Sequence, residues 1–313
     1  MKRLTAIFLI CLLLAGCASP EPVSTTVFAM DTVMTFHLWG DDAEEVSSQY
    51  AQMFQQISNR WSTQVDGSIP RALNAGEDPG LTAEEEAVLE RIEALYVRTG
   101  GAFNPYLRNV MEVWGFYDQE YLNEDYELPT AEQIAAALAD PAYDFGGVIK
   151  GYAGAYAAEQ LLAYDVDRAT LSLGGNIQTF GTKADGSPWF IGIQDPNGGD
   201  SLGILSVEGT CAVVTSGDYQ RYFEYDGVKY HHIIDPETGY PADSGLCSVT
   251  IICADGLTAD ALSTALFVMG LEEGAEFWRS SDDFEAVFVT TDGAIYATEG
   301  AVLSGCEYEV ITR

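Results

Sequence analysis

Asp260 and Thr264 lie four residues apart in "GLTADALSTALFVMG", residues 256–270. From Ala259 on, Ala261, Leu262, Ala265, Leu266, Val268 and Met269 predict an apolar helix, with Thr258 as its N-cap and Gly270 as its stop. Residues four apart share a helix face, so a carboxylate and a hydroxyl stack on one side. Structurally, Asp260 would sit in the first turn, where the helix dipole favours a negative charge, and Thr264 would return its hydroxyl to the Asp260 carbonyl. Chemically, the same two groups and a backbone carbonyl from elsewhere supply the hard oxygen ligands that Mg²⁺ prefers. The pair alone does not choose between the two.

Other segments carry complementary chemistry. "DFGGVIKG", Asp144 to Gly151, sets two glycines ahead of a helix, where backbone N–H groups approach an anion and Lys150 meets a phosphate. It lacks the spacing of a P-loop, and a packing turn is the plainer alternative. "TSGDYQRYFEYDGVKYHHIIDPETGYP" holds two of the three histidines, His231 and His232. Neighbours on a strand point to opposite faces, which suits one histidine beside a phosphate or hydroxyl and disfavours zinc. "LSLGGNIQTFG" ends a strand in two glycines and an asparagine, again suited to close approach by a ligand. Phe103, Tyr106, Trp114 and Phe116 form either an aromatic core or a wall for a flat ring. Together these groups suit a phosphate-bearing aromatic ligand. They do not name a reaction.

The elements that must position them divide unevenly. Early in the chain the patterns predict a strand over 27–40, amphipathic helices within 41–61, 81–101 and 129–140, and a short strand turning into a helix over 143–165. In the second helix Thr82 and Glu85 form a capping box and Gly100 ends it. Residues 62–80 read as loop and 102–116 as irregular aromatic chain. Beyond residue 168 the chain is mostly strands and tight turns, including "YDGVKY" as a hairpin, with "EEGAEFWRSS" a separate helix. A helix-rich first part and a strand-rich second part, without repeats or a long linker, predict one α+β domain.

At the N-terminus, "MKRLTAIFLICLLLAGC" has a basic start and an apolar run too short to span a bilayer. Residues 1–16 are expected to be a lipoprotein signal peptide, with Cys17 lipidated and residues 17–26 a tether. Acidic residues number 48 against 14 basic, for a net charge of −34. Nucleic acid and anionic lipid surfaces are therefore excluded as partners. Cys211, Cys247, Cys253 and Cys306 match no zinc spacing, and either disulfides or buried thiols are compatible with export.

In order, "AMDTVM", "GGAFNP…WGF", "DFGGVIKGYA", "LSLGGNIQTFG", "TSGDYQRYF", "HHIIDPETGYP" and "TADALSTALFVMG" resemble the ApbE family, the FAD:protein FMN transferases. The resemblance spans residues 27–313 as one ApbE-like domain and implies an α+β fold of its own type. It implies Mg²⁺-dependent transfer of FMN from FAD to a Thr or Ser of an acceptor flavoprotein, by an exported, lipid-anchored, monomeric enzyme on the extracytoplasmic face of a bacterial membrane. The acceptors it implies are subunits of extracytoplasmic redox complexes. Carried over by position, Asp260, Thr264 and the Gly147 carbonyl hold the metal, and Met30, Ala102, Phe103, Asn104, Asp144, Lys150 and Ile234 contact FAD. His232 and Asp260 are the catalytic candidates, with a carboxylate as the other possible base. Gln64 stands where the family usually has Tyr on the flavin, and "AMDT" replaces Met-Gly-Thr. Gln64 keeps hydrolysis of FAD to FMN and AMP open as an alternative; flavin binding without catalysis is another, against which the intact Asp260–Thr264 pair argues.

Overall fold

A computed structural model describes residues 21–123, 125–196, 198–199 and 201–313. The leader, Cys17 and the start of the tether lie outside the described residues. The strands are β1 (Val23–Ala29), β2 (Thr32–Trp39), β3 (Arg168–Leu173), β4 (Asn176–Phe180), β5 (Trp189–Ile193), β6 (Gly203–Val207) and β7 (Ala212–Gly217). They continue as β8 (Tyr222–Tyr225), β9 (Val228–His231), β10 (Leu246–Cys253), β11 (Phe284–Thr290), β12 (Ile295–Thr298), β13 (Val302–Ser304) and β14 (Glu309–Ile311). The helices are α1 (Ala43–Trp61), α2 (Ile69–Asn74), α3 (Ala83–Arg98), α4 (Arg108–Val113), α5 (Ala131–Leu138), α6 (Ile149–Gln160) and α7 (Gly256–Arg279).

Nine strands form one sheet in the order β1-β2-β3-β4-β7-β10-β11-β12-β14. Its pairs are antiparallel except β12 with β14. Period-2 alternation gives this sheet two buried faces. Leu171, Leu173, Val214, Val249 and Ile251 pack with α1, α6 and α7, whereas Val213, Val287 and Val289 pack with the small sheet of β5, β6 and β13. An aromatic cluster of Trp114, Phe116, Phe223 and Ile234 sits under the β8–β9 hairpin beside α4 and α5.

Several local expectations change. The strand expected over 27–40 is a hairpin, β1–β2, whose two turn residues Met30 and Asp31 have φ of 51° and 57°. That is the left-handed pair a two-residue hairpin turn demands, here without the usual glycine. Asp31 thus takes the conformation that the family's Gly would adopt freely, and Asp tolerates it better than most residues. "RATLSLGGNIQTFG" is also a hairpin, turning at Gly174 and Gly175. The short strand expected to lead into Gly146 is not formed: residues 143–145 are irregular, and only Ala142 makes a bridge, with Leu107. The predicted loop 62–80 contains α2, capped by Ser68, and the irregular aromatic stretch contains α4. Among the described residues Cys211, Cys247, Cys253 and Cys306 are free thiols, the first three buried. Among the described residues no helix is long and apolar enough to cross a membrane.

Candidate functional site

The site is built where two helix starts meet. α7 begins three residues earlier than Ala259: Asp255, not Thr258, is its N-cap and accepts from the Thr258 N–H at 3.0 Å. Asp260 therefore falls in the second turn, too deep for the helix dipole to explain it. Gly270 does not end the helix but breaks its backbone (φ 79°), and helical structure resumes to Arg279.

Asp260 is 4% exposed, and its Oδ2 accepts the backbone N–H of Gly151 at 2.7 Å. Gly151 is the third residue of α6, one of the donors that have no partner within their own helix. The contact requires glycine. A Cβ on Gly151 would lie 2.0 Å from the Gly256 carbonyl oxygen and 2.6 Å from the Asp260 Cβ. Burial raises the Asp260 pKa; Lys150, the Gly151 N–H and the Asn176 amide act against that rise. A carboxylate so desolvated is stabilised by a cation, and the buried Asn176 amide is near enough to favour its charged form without closing a full hydrogen bond.

Thr264 lies one turn on. A Cβ on Gly147 would be 3.9 Å from Thr264 Oγ1 and 3.8 Å from the Phe103 ring, so the Gly147 backbone, Thr264 and Phe103 adjoin. Among the described residues no three His, Cys, Asp or Glu side chains group as metal ligands. Asp260, Thr264 and the Gly147 carbonyl would supply an all-oxygen donor set with a single charge, of the kind that fits Mg²⁺ sharing its shell with water and phosphate. The chain into α6 is shaped by Asp144, whose Oδ1 accepts from the Gly146 N–H at 2.7 Å and whose Oδ2 accepts from Tyr117 OH at 2.5 Å. Lys150 sits in the first turn of α6 with Nζ 3.5 Å from the Gly146 oxygen. A cation there opposes the helix dipole, and a bound anion relieves the conflict.

The two histidines part company. His231, ending β9, donates through Nε2 to the Ala242 carbonyl at 3.1 Å, while Nδ1 accepts from the Ile233 N–H. It is a satisfied core residue. His232, just beyond the strand, donates through Nδ1 to the Arg221 carbonyl at 3.1 Å, leaving Nε2 as a free acceptor. Burial first, then the charges of Arg221 and Lys150, pull its pKa down to about 3, so the ring is neutral.

Asn104 Oδ1 accepts from the Tyr106 N–H at 2.9 Å, and the Phe103 N–H donates to Thr99 Oγ1 at 3.2 Å, which fixes the Ala102–Asn104 turn beyond α3. Met30 is anchored instead to α1, its N–H donating to Ser58 Oγ at 3.0 Å. Ile234 is buried in the aromatic cluster. A separate cavity of about 360 Å³ lies on the other face of the sheet, lined by Thr170, Ser172, Thr215, Thr250 and Phe190 among others, and holds none of these residues.

The ApbE family model matches residues 30–288, most of the chain and every residue of this constellation. The chain belongs to the ApbE family. A FAD:protein FMN transferase of Treponema pallidum is 34% identical over 296 residues, covering 83% of this chain and 82% of that one. One from Vibrio cholerae is 28% identical, with 90% and 92% covered. The crystal structure of the ApbE protein of Thermotoga maritima superposes with a TM-score of 0.80 at 31% identity, covering 90% of this chain and 98% of that one. The Vibrio cholerae flavin transferase ApbE gives 0.77 at 25% identity, covering 89% and 97%. The chain shares their fold as a single α+β domain.

In this ApbE-family enzyme, Gln64 shares a small cavity with Arg108, Glu112 and Tyr117, and Tyr117 in turn binds Asp144. The unusual Gln64 is thus one side chain away from the loop that opens α6. The sequence marks Gly151 and Asn176 only as members of glycine turns suited to a ligand, and it gives no signal for Tyr117, Ser216 or Ser263. Asn176 and Ser216 lie inside motifs whose glycines drew notice first, and only packing gives them partners.

Proposed function

We propose that this enzyme transfers FMN from FAD to a Thr or Ser hydroxyl of an acceptor protein, releasing AMP, with Mg²⁺ held by Asp260, Thr264 and the Gly147 carbonyl. The observation that carries this reading is the buried Asp260 carboxylate, fixed by the Gly151 N–H and within electrostatic reach of Lys150. Bound Mg²⁺ would neutralise the diphosphate and polarise the phosphorus under attack. Lys150 and the N-terminus of α6 bind the diphosphate and hold it in line. The acceptor oxygen bonds to the phosphorus of the FMN half. The bond from that phosphorus to the bridging oxygen breaks, and AMP leaves with that oxygen. His232, whose Nδ1–H is committed to Arg221, accepts a hydrogen bond from the acceptor hydroxyl at Nε2 and orients it, and the hydroxyl proton passes to solvent as the bond to phosphorus forms.

Water can replace the acceptor in the same geometry, and Gln64 in place of an aromatic residue favours keeping hydrolysis of FAD as the second reading. The leader supports export, with a lipid on Cys17 holding the enzyme to the extracytoplasmic face of the membrane, and acceptors are then exported flavoproteins. The test incubates purified protein with FAD, Mg²⁺ and a candidate acceptor. The acceptor mass should rise by one FMN unit, and both EDTA and Asp260→Ala should abolish the rise. Equally fast AMP release without any modified acceptor would establish hydrolysis instead. FAD that survives intact would leave flavin binding alone.

A further inference from the structure

Behind Thr264 a chain of hydroxyls runs into the core. Ser263 Oγ donates to the Asp260 backbone carbonyl at 2.8 Å. Ser263 Oγ also lies 2.8 Å from Ser216 Oγ, and Ser216 Oγ lies 3.3 Å from Thr264 Oγ1. Ser263 is 0% and Ser216 9% exposed, whereas Thr264 is half-buried. The relay therefore opens to the site only at its Thr264 end.

Each hydroxyl carries one proton, and a carbonyl can only accept. Ser263 spends its proton on the Asp260 carbonyl, so in the 2.8 Å contact Ser216 is the donor. Ser216 then has no proton left for Thr264, so Thr264 donates to Ser216. The direction of the whole chain is set by its buried end. Its consequence at the open end is that the Thr264 proton is held by Ser216, which leaves both lone pairs of Thr264 Oγ1 available to a cation.

We infer that Ser216 and Ser263 are positioning residues that polarise Thr264 as a cation ligand, with the Asp260 backbone carbonyl as the anchor of the relay. This rests on the metal site proposed above and adds two residues to it, neither of which touches the metal. The same Asp260 that offers its carboxylate to the site thus also aims the neighbouring ligand through its main chain. A threonine hydroxyl with a free proton would present that proton to the cation, so a packing serine and an orienting serine differ in what their loss does. Outer partners of metal ligands are generally worth about 10- to 100-fold in affinity.

The test is Mn²⁺ binding, read from the EPR signal of the free ion with the purified protein in excess and no flavin present. Urea melts check each variant's fold. Ser216→Ala removes the acceptor of the Thr264 proton. Ser263→Ala leaves Ser216 in place but frees its proton to turn toward Thr264, which reverses the relay. Both should weaken Mn²⁺ binding about 10-fold, and Ser216→Thr, which keeps the hydroxyl, should bind as the wild type does. Equal binding by the Ser216→Ala and wild-type proteins, with Asp260→Ala unable to bind, would overturn the relay and leave the metal site standing. Absence of Mn²⁺ binding by the wild type would overturn both. If Ser263→Ala does not fold, the contrast between Ser216→Ala and Ser216→Thr decides alone: tight binding by both overturns the relay.

Discussion

Gly151→Ala joins the stability of this protein to its chemistry in one methyl group. In an isolated helix the change would be favourable by about 1 kcal/mol, because alanine is the better helix former. Here the added Cβ would stand 2.0 Å from the Gly256 oxygen and 2.6 Å from the Asp260 Cβ, against an ordinary contact of 3.4 Å or more. The first obstacle is backbone and cannot rotate away, so α6 and α7 must separate by roughly 1 Å or more. Overpacking of this kind costs about 1–3 kcal/mol. Stretching the Gly151 N–H bond to a buried carboxylate costs roughly 1.5–3 kcal/mol more, as for other hydrogen bonds to charged groups. After the gain in helix propensity, a net loss of about 1.5–5 kcal/mol is expected. Displacing Asp260 by about 1 Å should lower FMN transfer on the order of 100-fold in the fraction that remains folded. Urea melts give the first quantity and acceptor mass spectrometry the second. A variant that melts at or above the wild-type midpoint and transfers FMN at the normal rate would refute the close helix contact and its role in holding Asp260.

Lys150→Ala should weaken FAD binding by about 1–3 kcal/mol, as expected for a charge-assisted contact; flavin fluorescence titration measures it, and unchanged affinity would remove Lys150 from the diphosphate site. His232 has its pKa lowered from 6.5 to about 3, so the unfolded chain binds its proton first as the pH falls below 6.5. Stability should therefore drop by about 1.4 kcal/mol per unit below that point from this residue. His232→Gln should flatten that slope between pH 6.5 and 5 in urea melts, and an unaltered slope would show that the ring is already charged in the fold. Cys17→Ser should yield a chain that is unprocessed or lost from the membrane fraction; a normally cleaved product retained on the membrane would rule out the lipid.

What the sequence determined by itself were interactions spanning a few residues. The capping box of Thr82 and Glu85, the Asp226–Gly227 hairpin turn and the shared face of Asp260 and Thr264 all depend on spacings of four or less, so local geometry suffices to read them. The ordered run of motifs likewise led to the family and its α+β fold. Tertiary structure decided what those residues meet. Gly151 and Asp260 are 109 positions apart and Ser216 and Ser263 are 47 apart, and no periodicity links them. Sequence made Gly151 look like one more glycine of an anion cradle, whereas packing against Gly256 makes it the seat of the Asp260 carboxylate. Likewise the strand period of "HHIIDP" put its two imidazoles on opposite faces without showing the surroundings of either. The end of β9 turned one into the core toward Ala242 and left the other beside Arg221 and Lys150, where burial and like charge keep it neutral. Burial and the electric field around a group are properties of its assembled neighbours, which is why the chemistry of these residues follows only from the folded chain.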